Sequence, residues 1–193
     1  MTSIWHIWIS GGWVMIPLFL LAVLLYAQAC QLLMYLRRIQ LEGGSQLHWW
    51  EWVRSPGSAE GRVGEIIRYT QTDVSSAKQI RNCFDEIRLT LLTLIDRRTA
   101  FLGTLVAAAP LMGLLGTVLG MLQTFFGIST SGGSETAGVV AAGISEALVT
   151  TQAGLTIALP GLFVVMLIRR QRHRLEAMLA RLESLTLTHL RFE

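Results

Sequence analysis

Charged side chains are absent from long stretches of the sequence. None occurs in residues 1–36 or 99–134, and from there to residue 168 only Glu135 and Glu146 interrupt the uncharged chain. A run of about 18 or more apolar residues is typical of a helix that crosses a membrane. The pattern therefore predicts an all-α membrane protein with three transmembrane helices, at residues 13–36, 99–126 and 138–168.

The predicted spans are long enough to cross a bilayer. The first has 24 residues, which at 1.5 Å per residue extend about 36 Å, against roughly 30 Å for the hydrocarbon core. A cleaved signal peptide would begin with a basic segment, whereas residues 1–12 contain no Lys or Arg. We therefore expect the first span to remain as an anchor. The third, with 31 residues, is expected to project at one end or to tilt.

Basic residues flank the predicted spans on one side only. The side that carries them has Arg37, Arg38, Arg97, Arg98, Arg169, Arg170, Arg172 and Arg174. Residues 1–12 and 127–137, on the opposite side, have no Lys or Arg. Because an excess of these residues marks cytoplasmic loops, segments 37–98 and 169–193 are predicted to be cytoplasmic, and the other two to lie outside.

Helical patterns continue into both predicted cytoplasmic segments. From a capping box at Ser76 and Gln79, apolar residues recur at helical spacing as Ile80, Phe84, Ile87, Leu91 and Leu94. With no breaker before Gly103, one long helix is expected to run into the second span. The tail repeats the pattern with Leu175, Met178, Leu182 and Leu185. Bundled helices extending below the membrane would follow.

A tryptophan-rich segment precedes this long helix. Residues 47–53 contain Trp49, Trp50 and Trp52 and are followed by a predicted turn at residues 55–58. So many aromatic side chains are expected to pack either at the membrane surface or against a neighbouring helix.

Composition agrees with this architecture. Hydrophobic residues make up 52% and charged residues 15% of the 193 residues, with a mean hydropathy of +0.49, whereas a soluble domain is about 25% charged. A soluble enzyme and a secreted disulfide scaffold are thereby excluded, and the net charge of +3, mostly from flanking arginines, needs no nucleic acid. The four His and two Cys show no metal-ligand spacing, so no metal or cofactor is expected. Cys30 and Cys83 are expected to be buried and unpaired.

Small residues distinguish the second and third spans from the first. They include Gly113, Gly116 and Gly120 in the second span and Gly138, Ala142, Gly143 and Ala147 in the third. Such residues let membrane helices approach closely, and Gly116 and Gly120 form a GxxxG pair. Tight helix packing is predicted, between several copies of the chain.

One ionisable residue, Glu146, lies well inside these two spans. An acid at the centre of a membrane helix costs about 2.5–3.5 kcal/mol on insertion scales. A carboxyl that is retained there is predicted to take up and release protons. The structural alternative is a hydrogen bond to a Thr or Gln on a facing helix.

Threonines and prolines accompany this acid. Thr150, four residues beyond Glu146, shares its helix face, whereas Thr151 is rotated by about 140°. Either hydroxyl can instead bond its own helix backbone. Pro110 and Pro160 each remove a helix hydrogen bond and can bend their helices.

Segments 108–120 (AAPLMGLLGTVLG) and 143–151 (GISEALVTT), with Gly154 and Pro160, resemble the ExbB/TolQ group of the MotA/TolQ/ExbB proton-channel family. The resemblance implies a homopentamer in the bacterial inner membrane whose second and third spans line a central pore. The pore would hold the transmembrane helices of an ExbD-like single-span partner. The assembly would use proton-motive force to energise a TonB-like protein and thereby import through the outer membrane.

The same resemblance assigns the proton pathway to Thr117, Glu146 and Thr151, so that it favours Thr151 where helix geometry favours Thr150. The phrase around Glu146 points to the ExbB branch. A TolQ-like role in envelope maintenance and a passive membrane scaffold are the alternatives. No catalytic Ser–His or metal set converges, so enzymatic activity is not expected.

Overall fold

The structure is a computed structural model that describes residues 11–41, 49–54, 57, 61–71, 77–130 and 136–190. The regular elements in these ranges are five α-helices. They are α1 (Met15–Leu41), α2 (Trp49–Arg54), α3 (Gly61–Gln71), α4 (Ala77–Thr130) and α5 (Thr136–Leu190).

Three of these helices are long and apolar enough to cross a membrane: α1, α4 and α5. This confirms the prediction of an all-helical chain with three long apolar helices. With 54 and 55 residues, α4 and α5 each have more than twice the roughly 20 residues that a transmembrane helix needs. Helix α4 runs without interruption from Ala77 through the second predicted span, as the lack of a breaker indicates.

The chain folds as two compact units. The apolar unit has the described residues 11–29, 101–130 and 136–165, and the charged unit has those of 30–100 and 166–190. Among described residues, Glu146 is the one charged side chain of the apolar unit, and every other charged side chain belongs to the charged unit.

A hydrophobic core holds α2, α3, α4 and α5 together in the charged unit. Its fully buried residues are Trp49, Val53, Ile67, Ile80, Phe84 and Leu182. Trp49 is 2% exposed, so the tryptophan-rich segment packs against neighbouring helices, the second of the two alternatives. The predicted turn at 55–58, apart from Gly57, and the capping residue Ser76 lie outside the described residues.

The apolar stripe of α4 departs from the prediction toward its far end. Ile80 and Phe84 are fully buried, but Leu94 is 42% exposed, and Ile95 is buried in its place. On an ideal helix Leu94 is rotated by about 80° from Phe84, whereas Ile95 is rotated by only about 20°.

In the tail, Leu175 and Leu182 are buried and Met178 and Leu185 half-buried, as the spacing predicts.

Both cysteines are free. Cys83 is half-buried, but Cys30 is exposed, so the expectation of burial is wrong for Cys30. Its neighbour Ala29 occupies the buried face of α1, and one residue along a helix is a rotation of about 100°.

Ion pairs link α4 to α5 in the charged unit. The Arg88 guanidinium donates to the Glu183 carboxylate at 2.6 Å, and Arg172 donates from two nitrogens to both oxygens of Asp96, at 3.0 Å each. These hydrogen bonds to Asp96 raise the pKa of Arg172 above its usual value. Arg172 also contacts Glu176, one turn further along α5.

Substitution of Phe84 by alanine tests the core of the charged unit. Phe84 is fully buried, so Phe84→Ala is expected to lower the free energy of unfolding by about 3–5 kcal/mol. Tryptophan fluorescence of the detergent-solubilised protein during denaturant unfolding measures the change. Leu89→Ala on the same helix, where the side chain is 69% exposed, should change it by less than about 0.5 kcal/mol. Equal effects of the two would contradict this core.

Candidate functional site

Small residues bring α4 and α5 into backbone contact within the apolar unit. The buried residues of this glycine seam are Ala109, Gly113, Gly116 and Gly120 on α4, and Gly143, Ala147, Thr150 and Gly154 on α5. A methyl group at Gly154 would lie 2.7 Å from the carbonyl oxygen of Ala109, and one at Gly143 would lie 3.0 Å from that of Gly120. These separations leave no room for a side chain.

The seam has the spacing of an antiparallel helix pair. Buried positions recur at steps of four, three and four on both helices, a mean of about 3.7 residues, which is close to the 3.6-residue turn of a straight helix. All four glycines predicted to mediate helix packing, namely Gly113, Gly116, Gly120 and Gly143, lie on this seam.

Thr150 is a packing residue of the seam. Its hydroxyl donates to the carbonyls of Glu146 at 3.2 Å and Ala147 at 3.0 Å, both on its own helix. The side chain is fully buried and stands over Gly116, where a methyl group would lie 2.5 Å from the Thr150 Cβ. Gly116 thus provides the space that Thr150 fills.

The other two predicted threonines differ in their contacts. Thr151 donates to the Ala147 carbonyl at 3.2 Å and to the Gly113 carbonyl of α4 at 3.4 Å, so it joins the two helices. Thr117 donates to the Leu114 carbonyl of its own helix at 2.7 Å. The structure therefore brings Thr150 and Thr151 to the seam, and in the described part of the chain it links neither Thr117 nor Thr151 to the carboxyl of Glu146.

Glu146 is half-buried and reaches the start of α1. Its carboxyl lies so close to Gly12 that a methyl group there would overlap Oε1 and lie 2.7 Å from Cδ. Among the described residues no hydrogen bond or ion pair engages this carboxyl. A donor or cation that neutralises this carboxyl would have to come from beyond these residues.

A contact with α1 accompanies Pro160. The Tyr26 hydroxyl donates to the Ile157 carbonyl at 3.0 Å, next to the point where proline interrupts helix hydrogen bonding. Beside it, the Leu25 side chain lies 3.4 Å from where a Gly161 methyl group would stand. Both Pro160 in α5 and Pro110 in α4 lie inside continuous helices.

Three residues of this region were not among the predicted site residues. They are Gly12, Tyr26, and Thr124, which stands over Gly143. The Gly11–Gly12 pair just before an apolar run is a turn signal, and a tyrosine inside a span carries a hydroxyl that needs a partner. Either signal was available in the sequence, although neither identifies the atom contacted.

The chain belongs to the MotA/TolQ/ExbB proton channel family, whose family model matches residues 60–181. It is 29% identical over 185 residues to the putative biopolymer transport protein ExbB-like 1 of Synechocystis sp., covering 81% of this chain and 66% of that relative. It is 39% identical over 77 residues to the biopolymer transport protein ExbB of Salmonella typhimurium, covering 40% and 31%.

A TolQ protein is also among its relatives. The Tol-Pal system protein TolQ of Haemophilus influenzae is 39% identical over 66 residues, covering 34% of this chain and 28% of that relative. The chain aligns with less than two thirds of the length of each of these relatives. Family membership and three long apolar helices together make the chain a multi-pass membrane protein of a transport family, not of an enzyme class.

Proposed function

We propose that the chain is an ExbB-like proton-channel subunit of the bacterial inner membrane. With an ExbD-like single-span partner, it would convert proton-motive force into mechanical work on a TonB-like protein and so energise import through the outer membrane. The observation that carries the proposal is Glu146. In a family of proton channels, it is the one charged described residue of the apolar unit, and no described residue neutralises it.

A proton exchange at Glu146 fits the energetics of its surroundings. An ionised carboxyl among apolar helices is costly, and protonation removes that cost. Each proton that crosses the membrane releases about 2.3 kcal/mol per 100 mV. Cycles of binding and release at this carboxyl would therefore supply the free energy for rotation or repacking of the subunits. Thr117 and Thr151 would line the pathway.

Assembly into a homo-oligomer, with five copies as the family resemblance implies, would cover surfaces that a single copy leaves open. Large apolar side chains are exposed along both α4 and α5, among them Leu111, Leu114, Leu115, Leu122, Phe125, Leu148, Leu155, Leu159 and Phe163. Exposed apolar area of this extent needs lipid or another protein surface. In the proposed assembly, copies of α4 and α5 surround a central pore that holds the partner helices.

The proposed orientation follows from the flanking arginines. Residues 1–12 and 127–137 would face the periplasm, and segments 37–98 and 169–193 the cytoplasm. The charged ends of α4 and α5 would then extend from the second and third spans into the cytoplasm.

A TolQ-like role in envelope maintenance is the second candidate, and the identity to a TolQ protein favours it. The two functions share the proton site and differ in the protein that receives the work. Affinity purification of the tagged chain from its host separates them: a TonB-type protein indicates the ExbB-like role, and a TolA-type protein indicates the TolQ-like role.

Reconstitution tests the proposed proton channel. The chain is placed in liposomes with the single-span protein from its own genome that carries a membrane aspartate, and a potassium diffusion potential is imposed, negative inside. We expect the trapped pH-sensitive dye to report acidification when both proteins are present. Vesicles with an assembled complex and no dye response would refute the channel, and would leave a passive scaffold.

A further inference from the structure

A two-glycine turn precedes α1. Gly12 has φ of 62°, in the left-handed region, and its carbonyl accepts a hydrogen bond from the Met15 amide at 3.3 Å. Side chains with a Cβ are disfavoured in this conformation. The helix begins directly after it, at Met15.

This turn lies along one side of α5. A methyl group at Gly12 would overlap the Glu146 carboxyl, and a methyl group at Gly11 would lie 3.3 Å from Cγ1 of Val149. Glu146 and Val149 are three residues apart, so both face the turn. Gly11 is itself buried.

We propose that Gly12 is a positioning residue for Glu146: the carboxyl packs directly against its backbone, which carries no side chain. Any Cβ at position 12 would occupy the place of the carboxyl oxygen and would displace the side chain. The importance of this contact for transport rests on the proposed proton function, but the contact itself does not. The sequence on the amino-terminal side of the first span would thus control where the carboxyl of the third span stands.

Carbodiimide labelling measures this position without measuring transport. Dicyclohexylcarbodiimide adds to a protonated carboxyl in apolar surroundings and leaves an N-acylurea, which mass spectrometry locates on the peptide that contains Glu146. In the assembled, full-length protein, Gly12→Ala is expected to change the labelling rate of Glu146 by about fivefold or more, because a carboxyl displaced from the Gly12 backbone has new surroundings.

Two alanine variants serve as matched controls. A methyl group at Gly103 meets nothing within 4 Å, and one at Gly11 meets chiefly Cγ and Sδ of Met15 and not the Glu146 carboxyl. Both variants should label Glu146 within about twofold of the unsubstituted protein. A Gly12→Ala protein that is assembled and labels at the unsubstituted rate would overturn the proposal, as would an equal change of rate in all three variants.

A double variant covers the case in which Gly12→Ala does not assemble. Glu146→Asp shortens the side chain by one C–C bond and so withdraws the carboxyl by roughly 1.5 Å. If Gly12→Ala prevents assembly through its contact with Glu146, it should lower the thermal midpoint much less in the Glu146→Asp protein than in the protein that keeps Glu146. An equal loss in both backgrounds would mean strain of the left-handed backbone alone, which overturns the proposal. Failure of Glu146→Gln to affect transport would refute the proton role and leave these results unchanged.

Discussion

Proton-driven transport is expected to fall by about 100-fold or more in the variant Glu146→Gln. Glutamine keeps the size and hydrogen-bonding capacity of the side chain but has no exchangeable carboxyl proton. No described residue forms an ion pair with Glu146, so its substitution leaves no opposite charge unpaired within the described chain. The proposed oligomer should therefore assemble normally. Dye acidification in reconstituted vesicles measures transport, and size-exclusion chromatography measures assembly.

Ser145→Ala is the matched control for this variant. Ser145 adjoins Glu146 on α5 but is exposed, and its loss removes a hydroxyl without touching the carboxyl. We expect near-normal acidification. Full transport by Glu146→Gln would refute the proton role, and a protein that no longer assembles would instead support a scaffold in which the carboxyl fixes helix register.

Gly143→Leu is expected to destabilise the packing of α4 against α5 strongly. A methyl group at this position would already overlap the Thr124 hydroxyl and lie 3.0 Å from both the Gly120 carbonyl oxygen and the Thr124 Cβ. The Gly120 oxygen belongs to the backbone and the Thr124 Cβ is bonded directly to it, so neither atom can move aside. The helices must therefore separate to admit leucine. Overpacking of this kind should lower the free energy of unfolding by about 3 kcal/mol or more.

Gly138→Leu provides the comparison on the same helix. A methyl group at Gly138 meets nothing within 4 Å, so this variant adds the same side chain without a clash. The thermal midpoint in detergent should drop for Gly143→Leu and stay near that of the unsubstituted protein for Gly138→Leu. Similar midpoints would show that the seam of α4 and α5 is not as close as the structure has it.

Sequence patterns predict the elements of this fold better than the contacts between them. The charge-free stretches suffice for three long apolar helices, and the absence of a breaker before Gly103 suffices for the continuity of α4. Helical spacing identifies Ile80 and Phe84 as core but fails at Leu94, because small rotations accumulate over several turns. What a helix buries at its far end depends on its neighbours.

The candidate site shows the same division. The apolar sequence around Glu146 singles it out, and the small residues around it predict close packing. That its carboxyl rests on Gly12, 134 positions earlier in the sequence, depends on how α1 packs against α5, which no local spacing encodes. The same holds for the Tyr26 hydroxyl on the Ile157 carbonyl, a pair separated by 131 positions.

The closeness of the glycine seam also restricts where hydrogen ions can travel. Backbones in van der Waals contact leave no gap for a file of water, and the Thr124 and Thr150 hydroxyls are already bonded to carbonyls of their own helices, those of Gly120 and Ala147. The interior of this helix pair therefore offers no space for water. In the proposed channel, a route to Glu146 would run along an outer surface of the pair, so that conduction would begin only when another molecule closes that surface into a passage.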